Sequence, residues 1–156
     1  MSPTGVRTIV GMGNETVSVP PMSEDRDAPR TVGDEKRILL DFLDYLREAV
    51  IRKAEGLSDD EARRAMVPSG TSLMGLVKHL TRAETAWFQY AFAGLDTRVP
   101  ADEIADDDVT EAVISRYRDV AIRNNEIVES CNDLSQASKR SIRTSALCLC
   151  DGCSCT

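Results

Sequence analysis

The chain has 156 residues, of which 42% are hydrophobic and 29% charged, and its formal net charge is −7. That length suits one domain with a real core, and the acidic balance argues against nucleic acid or an anionic membrane surface as a partner. Aromatic residues make up 4% of the chain, too few for base-stacking platforms, and no apolar run approaches the roughly 18 residues that span a bilayer.

The N-terminus lacks a basic stretch followed by an apolar one, so a secretory signal is not expected. A cytoplasmic location follows by default, and disulfides are not expected there. Residues 1–32 read as a flexible arm. They hold Pro3, Pro20, Pro21 and Pro29 among scattered Gly, Ser and charged residues. "GMGNETV" begins like a dinucleotide loop at Gly11 and Gly13, but the third glycine and the following helix are missing. Met22 is an alternative start, which makes residues 1–21 an extension or an over-long gene model.

From Asp34 the pattern turns helical and defines a domain over residues 33–140. Leu39, Phe42, Leu43, Leu46, Val50 and Ile51 recur at three- and four-residue spacing. Asp34 is placed to cap this helix, and Gly56 suits the position past its end. "SDDEARRA" carries a capping box between Ser58 and Glu61. "VPSGT" breaks the chain. Thr71 or Ser72 then caps a helix with a stripe of Leu73, Leu76, Val77, Leu80, Ala83, Trp87 and Ala91, closed by Gly94.

Six acidic residues crowd between Asp102 and Glu111. They read as a solvated loop with charges favoured at a helix N-terminus. Ile104 and Ala105 interrupt the oxygen-ligand spacing of a calcium loop. Asp108 followed by Glu111 reads as a second box-type cap. A last helix carries Val113, Tyr117, Val120, Ala121, Ile127 and Val128 on one face and ends near "ESCND". The pattern therefore predicts an all-α bundle of three long helices and a short one, with loop lengths that suit antiparallel neighbours.

His79 is the only histidine. At about 100° per residue, the leucine stripe of its helix centres about 100° away, which puts His79 at the edge of the apolar face. Ser72, Ala83 and Tyr90 lie within about 40° of it, and Gly75 and Ala86 flank the other side. Small neighbours leave room for a ligand, and they equally allow close helix packing. Glu84 falls about 140° away, and no catalytic role is assigned to it.

"PRTVGDEKRILLDFLDYLREAVIRKAEGLSDDEARR" and "PSGTSLMGLVKHLTRAETAWF" resemble the DinB/YfiT-like superfamily. More closely, they resemble its actinobacterial mini-circle branch, a domain of unknown function related to mycothiol-dependent maleylpyruvate isomerases and bacillithiol transferases. The resemblance covers about Pro29 to Arg140. It implies an up-down four-helix bundle of DinB type with a divalent metal, zinc or nickel, held by three histidines. His79 matches the metal ligand on the second long helix, and the other two belong to a fourth helix as a His-x-x-x-His pair. The implied activity is that of a metal-dependent hydrolase or a mycothiol-type thiol transferase. Its partners would be a low-molecular-weight thiol and a small electrophile.

After Arg140 this sequence departs from that pattern. "SIRTSALCLCDGCSCT" has no amphipathic helix and no histidine. The expectation is a bundle whose last helix is absent or truncated, with activity impaired because two of three ligands are missing. The alternative is a non-catalytic interaction or stress-associated protein. A groove left open by a missing helix predicts a homodimer or low stability. Residues 141–156 read as an unstructured Cys-rich tail. Cys148, Cys150, Cys153 and Cys155 are spaced to wrap a soft metal, and Cys150 with Cys153 forms a redox-type pair. The tail also reads as loose thiols or as the product of an altered reading frame. Nothing in it preorganises a cysteine pair toward His79.

Overall fold

The computed structural model describes residues 28–30 and 32–142. The Gly11/Gly13 loop, the Met22 start and the four tail cysteines lie outside those residues. The described elements are α1 (Glu35–Ala54), α2 (Asp59–Arg63), α3 (Leu73–Glu84), a π-helical continuation of α3 (Thr85–Phe92) and α4 (Thr110–Ser130). There is no strand among the described residues, so the fold is an all-α bundle. No described helix is long and apolar enough to cross a membrane.

Local chemistry starts the helices. The Asp34 carboxylate accepts from the Arg37 N–H at 2.9 Å. Ser58 and Glu61 form the reciprocal capping box, and Ser72 Oγ accepts from the Gly75 N–H at 3.1 Å. Each satisfies a backbone donor that the first turn leaves orphaned. Helix α4 differs. Its flanking residue is Val109, with no side-chain cap, and Asp108 is not the cap that its spacing predicts. Asp59 of α2 reaches over instead and accepts from the Thr110 N–H and hydroxyl, both at 2.7 Å. Asp108 accepts from Lys78 and from the Ala105 N–H.

The apolar centre is small. Ile51 and Ala54 of α1 meet Val77 of α3 and Ile114 and Tyr117 of α4, with Val50, Leu80 and Val113 around them. Full burial of an aliphatic side chain contributes about 1.5–3 kcal/mol. Polar pairing holds the rest of the interior. Arg47 of α1 donates to both Glu84 carboxylate oxygens, through Nε at 3.1 Å and through Nη2 at 2.5 Å. Tyr117 Oη donates to Glu84 at 2.8 Å, Asn124 Nδ2 at 3.1 Å, and Gln89 Nε2 donates to Asn124 Oδ1 at 3.0 Å. Arg47 also donates to Asp44 at 2.8 Å and Asn125 at 2.7 Å. No buried side-chain polar atom among the described residues lacks a partner.

These polar residues move the helix faces away from the leucine stripes. On α1 the buried positions are Leu40, Arg47, Ile51 and Ala54, while Leu39, Phe42 and Leu46 are exposed. On α3 the inner face runs through Met74, Val77, Thr81 and Glu84, and Leu73, Leu76 and Leu80 are only half-buried. That face centres about 180° from His79 rather than 100°, so His79 stands on the outer side of the helix.

The helix then widens. The Thr81 and Thr85 hydroxyls donate to the Val77 and Thr81 carbonyls at 2.8 and 2.7 Å, competing with the backbone for those acceptors and loosening the ladder. From Thr85 the bonding is π-type, as in Ala93 N–H to Phe88 O at 2.9 Å. Each such turn takes in an additional residue, which rotates the remaining side chains about the helix axis. Trp87 therefore ends 60% exposed and Gln89 ends 4% exposed, although on an ideal α wheel both lie about 100° from the inner face.

Paired contacts fix the directions of the helices. Lys36 at the start of α1 donates to the carbonyls of Glu129 and Cys131 at the end of α4, and Arg118 of α4 pairs with Glu55 at the end of α1. Helix α1 is thus antiparallel to α4, and its Arg47–Glu84 and Ile51–Val77 contacts make it antiparallel to α3. Helices α3 and α4 run parallel, since Lys78 faces Asp108, Glu84 faces Tyr117 and Gln89 faces Asn124. A long crossover, residues 93–109, returns along the bundle to join them. Gly94, with φ +65°, turns the chain into it. Arg63 clamps its far end by donating to the carbonyls of Ala105, Asp106 and Asp108.

Candidate active site

The crossover brings Asp102 to His79. Ser72 caps α3, and His79 stands two turns further on, with its side chain 63% exposed. His79 Nδ1 lies 2.9 Å from Asp102 Oδ2. A carboxylate can only accept, so Nδ1 carries a proton, and the neutral ring presents its lone pair at Nε2. Nε2 has no partner among the described residues, and His79 borders a cleft of about 390 Å³ together with Ser69, Gly70, Ser72, Gly75, Asp102 and Ile104. Gly75 keeps the floor low, because a Cβ there would stand 3.2 Å from Ser72 Oγ and 3.6 Å from Ile104.

Asp102 is itself positioned. Arg82 donates to the Pro100 carbonyl at 3.0 Å and holds Nε 3.9 Å from Asp102 Oδ1. The hydrogen bond with His79, with the Arg82 charge nearby, holds the Asp102 carboxyl below its ordinary range against the opposing effect of burial. Residues from α3 and the crossover thus build a carboxylate–imidazole pair at the mouth of a small cleft.

Of the residues singled out from the sequence, His79 and Ser72 line this cleft. Glu84 does not. It is the buried hub of the interior network. Nor does Tyr90, which lies under the Arg140 guanidinium, 4.9 Å from its ring centroid. Sequence reasoning misses Asp102, because an acidic run in a loop gives no sign of which carboxylate turns inward.

The metal implied by the resemblance does not fit the described donor set. His79 and Asp102 are two groups, and among the described residues no set of three or more His, Cys, Asp or Glu is placed to hold a metal ion. A three-imidazole centre needs two further histidines, and the chain has none.

Fold and site define a helical bundle with a histidine–carboxylate pair opening on a small-molecule cleft. A family model described as mycothiol-S-transferase matches residues 38–147. The match spans well over half of the chain, and the protein belongs to this family. No curated protein and no solved structure matches the chain.

Proposed function

We propose that this protein transfers a low-molecular-weight thiol, mycothiol, to a small electrophile in the cleft at His79. The observation that carries this is the His79–Asp102 pair, which presents an open Nε2 in a protein of the mycothiol-S-transferase family. A free thiol is a weak nucleophile until it loses its proton. In the reaction the S–H proton passes to His79 Nε2. The thiolate sulfur forms a C–S bond to the electrophilic carbon, and the leaving group departs with the bonding electron pair. His79 then returns the proton to the leaving group or to solvent. Asp102 fixes the tautomer and steadies the charged ring.

Because the described residues do not complete the three-histidine set, a route through zinc or nickel is impaired in this reading, and proton transfer falls to His79 itself. The motif run from Pro29 to Phe88 supports placement in the mini-circle branch. A thiol substrate of this kind also supports a cytoplasmic location.

Incubating the full chain with mycothiol and a haloaryl electrophile, with the thioether followed by mass spectrometry, tests the proposal. Transfer above the uncatalysed rate is expected, with a loss of about 10²–10⁴ in His79→Gln. Asp102→Asn should lower kcat about 10–100-fold. No acceleration, or full activity in His79→Gln, would sink it.

A further inference from the structure

A second cleft, of about 430 Å³, includes Lys78 of α3, Arg98 of the crossover and Arg116 of α4. Pro100, Ala112 and Val113 give it apolar surface. Three cations from three different elements meet around one space in a protein whose net charge is −7. The arrangement is the opposite of what the overall charge would produce at random.

Among the described residues, the only carboxylate in the lining is Asp108. It is engaged by the Lys78 ammonium and by the Ala105 N–H at 2.7 Å. Burial opposes its ionisation, but these hydrogen bonds and the charges of Lys78 and Arg63 outweigh that and hold its carboxyl below the ordinary range. Its charge is therefore matched within the wall. Arg98 and Arg116 are both exposed, and neither has a hydrogen-bond or ion-pair partner among the described residues. Three cations against one carboxylate leave two positive charges directed at the cleft.

A pair of unspent guanidiniums is matched by a planar oxyanion, because the guanidinium fork donates in parallel to both oxygens of a carboxylate. The cleft has the volume of a small-ligand site, and Val113 and Ala112 offer surface for a short apolar body. We propose that this cleft binds a small organic carboxylate, with Arg98 and Arg116 holding the carboxylate and Val113 covering the body of the ligand. One crossover serves both clefts: Pro100 and Ala101 line this one, and the next residue, Asp102, orients His79. The binding does not rest on the transferase reading above.

Calorimetric titration of the full chain with benzoate, and with neutral benzamide as the isostere, tests the site. Benzoate should bind at least about tenfold more tightly than benzamide, and added salt should weaken it. Arg98→Gln and Arg116→Gln should each weaken benzoate about tenfold, with unchanged melting temperature because both side chains are exposed. Equal binding of acid and amide, no benzoate binding, or undiminished binding in both variants overturns the site. Benzoate binding without any thiol transfer would overturn the transferase reading and leave the carboxylate site standing.

Discussion

Replacing Glu84 with Gln removes one negative charge from the interior with almost no change of shape. Arg47, with its side chain 3% exposed, then keeps only Asp44 as a counter-ion, and Asp44 is 46% exposed. Breaking one side of a buried ion pair costs about 3–5 kcal/mol. The new amide nitrogen also faces a donor, either Tyr117 Oη or Asn124 Nδ2, which forfeits a buried hydrogen bond worth about 1–3 kcal/mol. Arg47 retains Asp44 and Asn125, which places the sum near the lower end, about 4 kcal/mol. A domain of this size has a total stability of about 5–15 kcal/mol. Urea unfolding followed by far-UV circular dichroism should show the midpoint falling by about 2 M. Tyr117→Phe is the milder companion, at about 1–2 kcal/mol, and stays measurable if the Gln variant does not fold. A loss below about 1 kcal/mol in Glu84→Gln, or additive effects of Glu84→Gln and Arg47→Met in a double-mutant cycle, would refute the network as the organiser of the interior.

Four further outcomes are expected. Asp102 and Asp108 have folded-state affinities for protons below the ordinary value of 3.8, so the stability they contribute is present above about pH 4 and is lost as the pH falls through their folded values. Thermal melts from pH 6 to pH 3 should decline in that window, and less steeply in Asp108→Asn; an equal decline in that variant would count against the assignment. Gly94→Ala should destabilise by about 1–2 kcal/mol, since its φ is +65° and a Cβ would stand 3.0 Å from Lys139 Cβ; a neutral result in chemical unfolding would contradict this. Purified protein should hold less than one zinc or nickel per chain, with no change in His79→Ala. Stoichiometric metal lost in that variant would mean that the missing ligands are supplied after all, and metal lost only on changing Cys148, Cys150, Cys153 and Cys155 would assign it to the tail. Leu39 (56% exposed), Phe42 (46%), Leu46 (47%) and Trp87 (60%) are exposed apolar side chains, and we propose self-association through them; light scattering should show association that Phe42→Glu and Trp87→Glu abolish, and a monomer at high concentration would remove the idea.

Among the described residues, the sequence by itself determined where α1, α2 and α3 begin. Asp34, Ser58 with Glu61, and Ser72 each act on a backbone donor three residues away, and an interaction that local can be read from spacing. It also placed His79 beside Ser72 and Gly75, because all three belong to one helix. It did not reveal which helix faces turn inward. Apolar counting follows leucines, whereas Arg47, Glu84 and Asn124 are buried because each finds its partners on another helix, with Arg47 and Glu84 lying 37 residues apart. The π-helical turns were equally hidden, and they turn Gln89 into the interior and leave Trp87 outside. Tertiary structure alone decided that α3 and α4 run parallel, since only the assembled bundle shows the crossover returning along it. That same crossover carries Asp102 to His79, 23 residues away, and Arg98 toward Arg116. Both clefts exist because a long connection was folded back onto the bundle, and no local pattern encodes where such a connection comes to rest.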